Sequence, residues 1–201
     1  MEIKTRGKRK KIEIRKPDIR FLYDMKDVVY DKEWLKKVPN LKVYYMYRGI
    51  KRMDELRYDI TVIPPKMLGK EFMKTKGNCN SNGLQELYTV LKGKAIFLMQ
   101  KMKGRAVKDA MAVKAKKGDW VIVPPEYYVI SINPTKNILK LGNWVSQKNK
   151  NIYKDLEVMH GACYYYTKLG WIKNRNYKKT PKLRFKKPLK RMPKDLDFLK
   201  G

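Results

Sequence analysis

Histidine is almost missing from this 201-residue chain, where His160 stands alone. One imidazole cannot build a zinc site without cysteine or carboxylate help. Cysteine is nearly as scarce: Cys79 and Cys163 lie far apart, fit no metal-ligand spacing, and read as free thiols of a reducing, cytoplasmic compartment. No apolar run approaches the roughly 20 residues that span a bilayer. Met1-Glu2-Ile3-Lys4 opens no apolar signal core, so neither a membrane nor secretion is expected. There is no P-loop, no G-x-S-x-G, no G-x-G-x-x-G and no convincing Cys–His pairing, which removes the common nucleotide-hydrolysing and nucleophilic enzyme classes.

Acidic residues are the other shortage. Nineteen Asp and Glu face 49 Lys and Arg, a net charge of +30, where a small domain needs a magnitude of only roughly 2–8 for solubility. Such an excess points to a polyanionic partner, nucleic acid first; a lysine-rich proteome is the alternative. The charge is spread along the chain. Residues 1–16 carry +6, residues 158–201 carry +11, and +13 remains on the body between them. The first segment, centred on Arg6, Lys8, Arg9, Lys10 and Lys11, reads either as a solvated basic arm or as one that orders on a phosphate backbone. The last lacks any acid from Val158 to Lys194. It interleaves Lys173, Arg175, Lys178, Lys179, Lys182, Arg184, Lys186, Lys187, Lys190 and Arg191 with Tyr164, Tyr165, Tyr166, Trp171 and Tyr177. Pro181, Pro188 and Pro193 forbid a continuous helix there. Its cations suit RNA phosphates, and its aromatics suit either base stacking or a core edge.

The body, residues 17–157, reads as all-β. Strands are predicted at 43–47, 58–63, 70–75, 86–91, 94–101, 109–115, 119–124, 127–133 and 137–144, punctuated by Gly69, Gly77, Gly83, Gly93, Gly104, Gly118 and Pro124-Pro125. Asp31 is placed to cap a helical turn carrying Trp34 and Leu35, and residues 155–159 suit a second short helix.

Two segments share a grammar. Gly77-Asn78-Cys79-Asn80 is followed by Glu86, six residues and Gly93. Then Gly118, five residues and Pro124 lead to Val129 and Asn133. This spacing resembles the two-part cupin signature, and residues 20–135 more closely resemble the archaeal cupin-type glucose-6-phosphate (phosphoglucose) isomerases. The stretches that carry the likeness are Val43–Tyr47, Thr61–Pro65, Gly69–Gly77 and Glu86–Gly93. The resemblance implies a jelly-roll barrel; the basic extensions at both ends, residues 1–16 and 158–201, fall outside it and rest on the charge distribution. The resemblance also implies a divalent metal at the positions of Asn78, Asn80, Glu86 and Val129, and sugar-phosphate contacts at Thr61, Thr75 and Gly77. Tyr44, Tyr88 and the base Glu86 would serve proton transfer, and a homodimer is compatible with the family.

The residues at those metal positions depart from the pattern. Two amides replace imidazoles, an aliphatic side chain replaces a third, and one residue is missing between Asn80 and Glu86. Amide oxygen binds only hard cations, and weakly, so neither a metal nor another cofactor is expected. Glu86 reads as a strand residue hydrogen-bonded to Thr75 or a tyrosine. The chain is therefore read as a metal-free cupin turned to RNA binding, with rRNA and neighbouring ribosomal proteins as its partners. The alternative is a divergent isomerase or a sugar-phosphate-binding cupin.

Overall fold

A computed structural model describes residues 16–201; the cations at positions 6, 8, 9, 10 and 11 lie outside it. In chain order the barrel begins with β1 (Asp18–Phe21), a 3-10 turn (Tyr23–Val28), α1 (Lys32–Lys37), β2 (Lys42–Met53) and β3 (Leu56–Ile63). The short strands β4 (Met67–Leu68), β5 (Glu71–Phe72) and β6 (Cys79–Asn80) follow. Long strands return with β7 (Glu86–Lys92), β8 (Lys94–Lys103) and β9 (Ala106–Lys116), then β10 (Trp120–Val123), β11 (Tyr127–Ile132) and β12 (Leu139–Ser146). The chain ends in β13 (Asn151–Ile152), α2 (Lys154–Val158), β14 (Tyr164–Thr167), β15 (Gly170–Lys173) and β16 (Arg184–Lys186).

Two main sheets form the barrel. One runs in the order β1-β2-β3-β12-β7-β10 and the other β11-β8-β9-β16. Antiparallel pairing dominates, and β7 and β8 are joined by a turn at Gly93, where φ is +86° and a Cβ would meet the Ile138 carbonyl at 2.9 Å. Only glycine fits both demands. The main core lies between the sheets, around Phe97, Leu98, Met99, Ile132, Leu139 and Leu141. Strand β7 is buried on both faces. Tyr88 and Val90 belong to the main core, whereas Leu87 packs with Leu56, Leu196 and Leu199 in a second cluster flanked by Trp120, Trp144 and Phe198. Two-sided burial explains why Leu87-Tyr88-Thr89-Val90-Leu91 reads as a near-continuous apolar run rather than an alternation.

The predicted helical turn is present: Asp31 Oδ1 accepts from the Trp34 N–H at 3.1 Å. The C-terminal segment departs from expectation. Residues 158–201 are not a loose extension, and no break in packing occurs at residue 157. The hairpin β14–β15 joins a four-stranded sheet with β5 and β4. Strand β16 adds in parallel to the exposed edge of β9, with Phe185 opposite Ala112, and Leu189 bridges Trp120 beside the edge of β10. Leu196 and Leu199 then cap the outer face of the larger sheet. The three prolines forbid a helix, as expected, but proline and cation content alone could not reveal that apolar residues at 183, 196 and 199 anchor the segment. It occupies free β-edges, which otherwise invite pairing with other chains.

Candidate functional site

Gly77 feeds the chain into the barrel. Its φ is +84°, and a Cβ would come within 2.7 Å of both Ile130 and Leu156, so the turn requires glycine. Asn78 then pairs with Val129: the Asn78 N–H donates to the Val129 carbonyl at 3.2 Å, and the Val129 N–H donates back at 2.9 Å. Two positions on, Asn80 pairs with Asn151 of β13. The run Asn78-Cys79-Asn80 thereby lies beside a second of the same form, Asn149-Lys150-Asn151.

The four asparagines close a ring. Asn78 Nδ2 donates to Asn80 Oδ1 at 3.2 Å and to Asn151 Oδ1 at 3.4 Å. Asn149 Nδ2 donates to the same two oxygens at 3.0 and 2.9 Å. Each donor amide has two N–H groups and each acceptor oxygen two lone pairs, so the arrangement consumes them all. Outward bonds fix the ring: Asn80 Nδ2 to the Leu84 carbonyl at 3.2 Å, the Ser81 N–H to Asn149 Oδ1 at 3.2 Å, and Asn151 Nδ2 to the Tyr153 hydroxyl at 3.2 Å. The N-x-N spacing, repeated at 78–80 and 149–151, was the signal in the sequence for Asn149 and Asn151, which reading by family position passes over.

A cavity of about 40 Å³ adjoins the ring. Its lining brings together Tyr44, Thr61, Thr75, Gly77, Asn78, Glu86 and Tyr88, and adds Met46, Arg48, Ser131, Asn143, Asn151 and Tyr153. Asn80 and Val129 are not in that lining; Val129 is buried in the main core. At roughly 10–15 Å³ per water the cavity admits about three waters, well below the roughly 300 Å³ of a small-molecule site. Arg48 is held at its edge by buried Asp59, whose Oδ2 also receives Arg57 Nε, at 3.0 and 3.1 Å. Thr75 is locked to β11: its N–H donates to the Ser131 carbonyl at 2.9 Å, and its Oγ1 accepts from the Ser131 N–H at 3.0 Å. Thr75 is therefore committed to Ser131; the side chains that interact with the Glu86 carboxyl are Tyr88 and Asn80.

Glu86 is buried, and its Oε2 has no hydrogen-bond partner among the described residues. Burial pushes its pKa up, against hydrogen bonds from Tyr88 and Asn80 and the nearby Arg48 that favour the carboxylate. Burial likewise raises Tyr44 and sends Tyr88 well above the ordinary tyrosine value, with Glu86 adding to the latter. Both phenols are thus protonated donors at neutral pH.

These residues do not fit a transition metal. Val129 has no donor atom, the Asn80 oxygen is spent on two amide N–H groups, and Glu86 is left as a single carboxylate. Among the described residues, no three His, Cys, Asp or Glu come together. No step through a metal follows from this site.

The aromatic residues of the C-terminal segment are corrected as base-stacking candidates. Tyr164, Tyr165 and Tyr177 are buried, with hydroxyls donated to the carbonyls of Pro181, His160 and Gly161 at 2.7, 2.5 and 2.7 Å. Tyr166 lies between Phe72 and Trp171, at 5.3 and 4.6 Å between centroids, so the faces that would stack on bases are taken by protein. Two exposed cations expected on RNA also pair with carboxylates of the barrel. Arg184 grips Asp109 through Nε and Nη2 at 2.9 and 2.5 Å, and Lys190 meets Asp119 at 2.8 Å. Lys173, Arg175, Lys178, Lys179, Lys182, Lys186, Lys187 and Arg191 are exposed.

Comparison with known proteins identifies the family of the barrel. A family model described as glucose-6-phosphate isomerase (GPI) matches residues 20–182. The glucose-6-phosphate isomerase of Thermococcus litoralis is 34% identical over 128 residues, covering 61% of this chain and 65% of that protein. The glucose-6-phosphate isomerase of Pyrococcus furiosus is 30% identical over 128 residues, covering 61% and 66%. The chain thus spans just under two thirds of the length of these relatives. Among solved structures, the Schizosaccharomyces pombe Cnp3 cupin domain aligns at 13% identity and a TM-score of 0.39 over 64% of this chain and 79% of that one. With the family model matching most of its length, this all-β cupin belongs to the glucose-6-phosphate isomerase family.

Proposed function

We propose that this chain is a metal-independent member of its family that binds a sugar phosphate in the barrel pocket without isomerising it. The observation that carries this reading is the contrast between the two halves of the pocket. The half corresponding to metal is closed by the asparagine ring. The other half keeps Thr61, Thr75, Gly77, Tyr44 and Tyr88 around one cavity, with Ser131 and Tyr153 beside them. Hydroxyls, backbone N–H groups and a neighbouring arginine suit a phosphate or a polyol. Glu86, which the resemblance assigns as the base, lines the same cavity. Yet proton transfer between neighbouring sugar carbons also needs the developing enediolate charge to be stabilised, and no metal-binding donor set supplies this.

The cavity is too small for a sugar as it stands, so entry requires its lining to open. The test is calorimetry with fructose 6-phosphate, run beside an isomerase assay with and without added Mn²⁺. The expected result is binding that weakens at least about tenfold in Thr61→Val, with no turnover. Metal-stimulated turnover that disappears in Glu86→Gln would return the chain to the isomerases, and absence of binding would remove the sugar-phosphate reading.

A second reading, RNA binding with rRNA and its neighbouring proteins as the setting, is favoured by the exposed cations of the C-terminal segment on a body already strongly basic. Lysine and arginine neutralise phosphates and release counterions, so affinity falls steeply with salt. Co-sedimentation of the native protein with ribosomal subunits at low salt supports this; free protein at every salt concentration opposes it.

A further inference from the structure

A second concavity lies apart from the barrel pocket. A cleft of about 650 Å³ opens between the segment leading into α1 and the end of β15, and the two sites share no lining residue. Its volume falls within the roughly 300–1,000 Å³ of small-ligand sites. Its rim is cationic: Lys32 on one side, Lys173 and Arg175 on the other, with His160 between the walls and no Asp or Glu in the lining. Its walls include two side chains with flat or aliphatic exposed surface, Tyr30 and Ile172, in front of the buried Tyr165.

The cleft is built rather than incidental. Lys32 Nζ is held by the carbonyls of Lys26 and Asp27 at 2.7 and 3.1 Å, which fixes its charge at the rim. Tyr30 rests on Tyr165 at 4.8 Å between centroids, and its N–H is tied to Glu71 Oε1 at 2.8 Å. Opposite, the buried Asn174 donates to the carbonyls of Met159 and Ala162 at 2.8 and 3.0 Å. Its Oδ1 accepts from the backbone and side-chain amides of Asn176 at 3.0 and 2.9 Å. That clamp sets the backbone from which Lys173 and Arg175 project. His160 takes a left-handed conformation, φ +57°, and its carbonyl is capped by the Tyr165 hydroxyl. A rigid aromatic and aliphatic wall under a ring of positive charge matches one ligand chemistry, a planar base joined to phosphate.

We propose that this cleft is a nucleotide-binding site, in which Tyr30 and Ile172 receive the base while Lys32, Lys173 and Arg175 hold phosphate. A free mononucleotide and a nucleotide within an RNA strand present the same chemistry, and the inference does not depend on sugar-phosphate binding in the barrel.

The test uses the full chain and three probes: ADP, a fluorescein-labelled hexauridylate RNA, and inorganic phosphate. Each is titrated at moderate salt into wild type, Lys173→Glu/Arg175→Glu, Tyr30→Ala, and a charge-matched control, Lys37→Glu/Lys92→Glu. All the charge reversals are at exposed positions, so folding is retained and circular dichroism verifies it. The expected result is that the cleft pair weakens ADP or RNA binding at least about tenfold more than the control pair, that Tyr30→Ala weakens it about tenfold, and that phosphate alone binds far more weakly. Binding of ADP marks a free-nucleotide site; binding of RNA without ADP marks a strand site. Equal losses in the two pairs, phosphate binding as tight as ADP, or binding of neither nucleotide probe overturns the proposal. None of these outcomes alters the fructose 6-phosphate result, so the two readings fail separately.

Discussion

Asn149 supplies both donors that close the asparagine ring from the β13 side, to oxygens at 3.0 and 2.9 Å. Its removal leaves Asn80 and Asn151, one buried and one half-buried, each short of a partner. Asn149→Ala should therefore cost about 1–3 kcal/mol in denaturant unfolding, whereas alanine at exposed Lys150 should be near neutral. Glu86 is the opposite case, a buried carboxyl that the fold tolerates rather than satisfies. Its folded pKa is raised, so the native state holds the proton more tightly than the unfolded chain. Stability from this group is fullest below the ordinary glutamate value near 4.5 and is lost as pH rises from there through the folded pKa. Glu86→Gln removes that dependence. It should be stabilising by about 1 kcal/mol at pH 8 and less so at pH 4, read from paired melting curves. An equal effect at both pH values would show that Glu86 is not protonated preferentially in the fold.

Among the elements, β7 and the C-terminal segment depend on each other. Leu199 is fully buried against the outer face that Leu56 and Leu87 present. Leu199→Ala should cost about 2–4 kcal/mol, a loss that a solvated tail would not produce. The long strands were legible in the sequence because alternation, aromatic content and Gly or Pro punctuation all agreed there. Of the residues that family position singles out, Tyr44, Thr61, Thr75, Gly77, Asn78, Glu86 and Tyr88 line one cavity, whereas Asn80 and Val129 do not. The ring partners showed only as a repeated N-x-N spacing, because Asn149 and Asn151 lie some seventy residues from Asn78 and Asn80 and family position does not single them out. The C-terminal segment misled for a related reason. Its cations dominate its composition, while its fold is decided by a few spaced apolar residues and by hydroxyl-to-carbonyl bonds such as Tyr177 to Gly161. Arg184 and Lys190 look no different in sequence from exposed Lys186 and Lys187; only the placement of Asp109 and Asp119 separates them.

At the scale of the molecule, a charge of +30 on 201 residues dominates any encounter with a polyanion. Heparin or RNA affinity should fall with a steep log–log salt slope. Reversing Lys182, Lys186 and Lys187 together should reduce that slope by about 2–3, whereas exchanging Arg184, already spent on Asp109, should lower stability more than affinity. The barrel itself is a family scaffold in which amide hydrogen bonds stand where metal coordination is implied. The most direct test of that claim is calorimetric titration of Ni²⁺ into the full-length protein at neutral pH, beside the Asn78→His/Asn80→His/Val129→His variant. The account predicts no stoichiometric site in the wild type and a new one in the variant. A single wild-type site tighter than about 10 μM, or roughly 7 kcal/mol of binding free energy, and abolished by Asn78→Ala would contradict it.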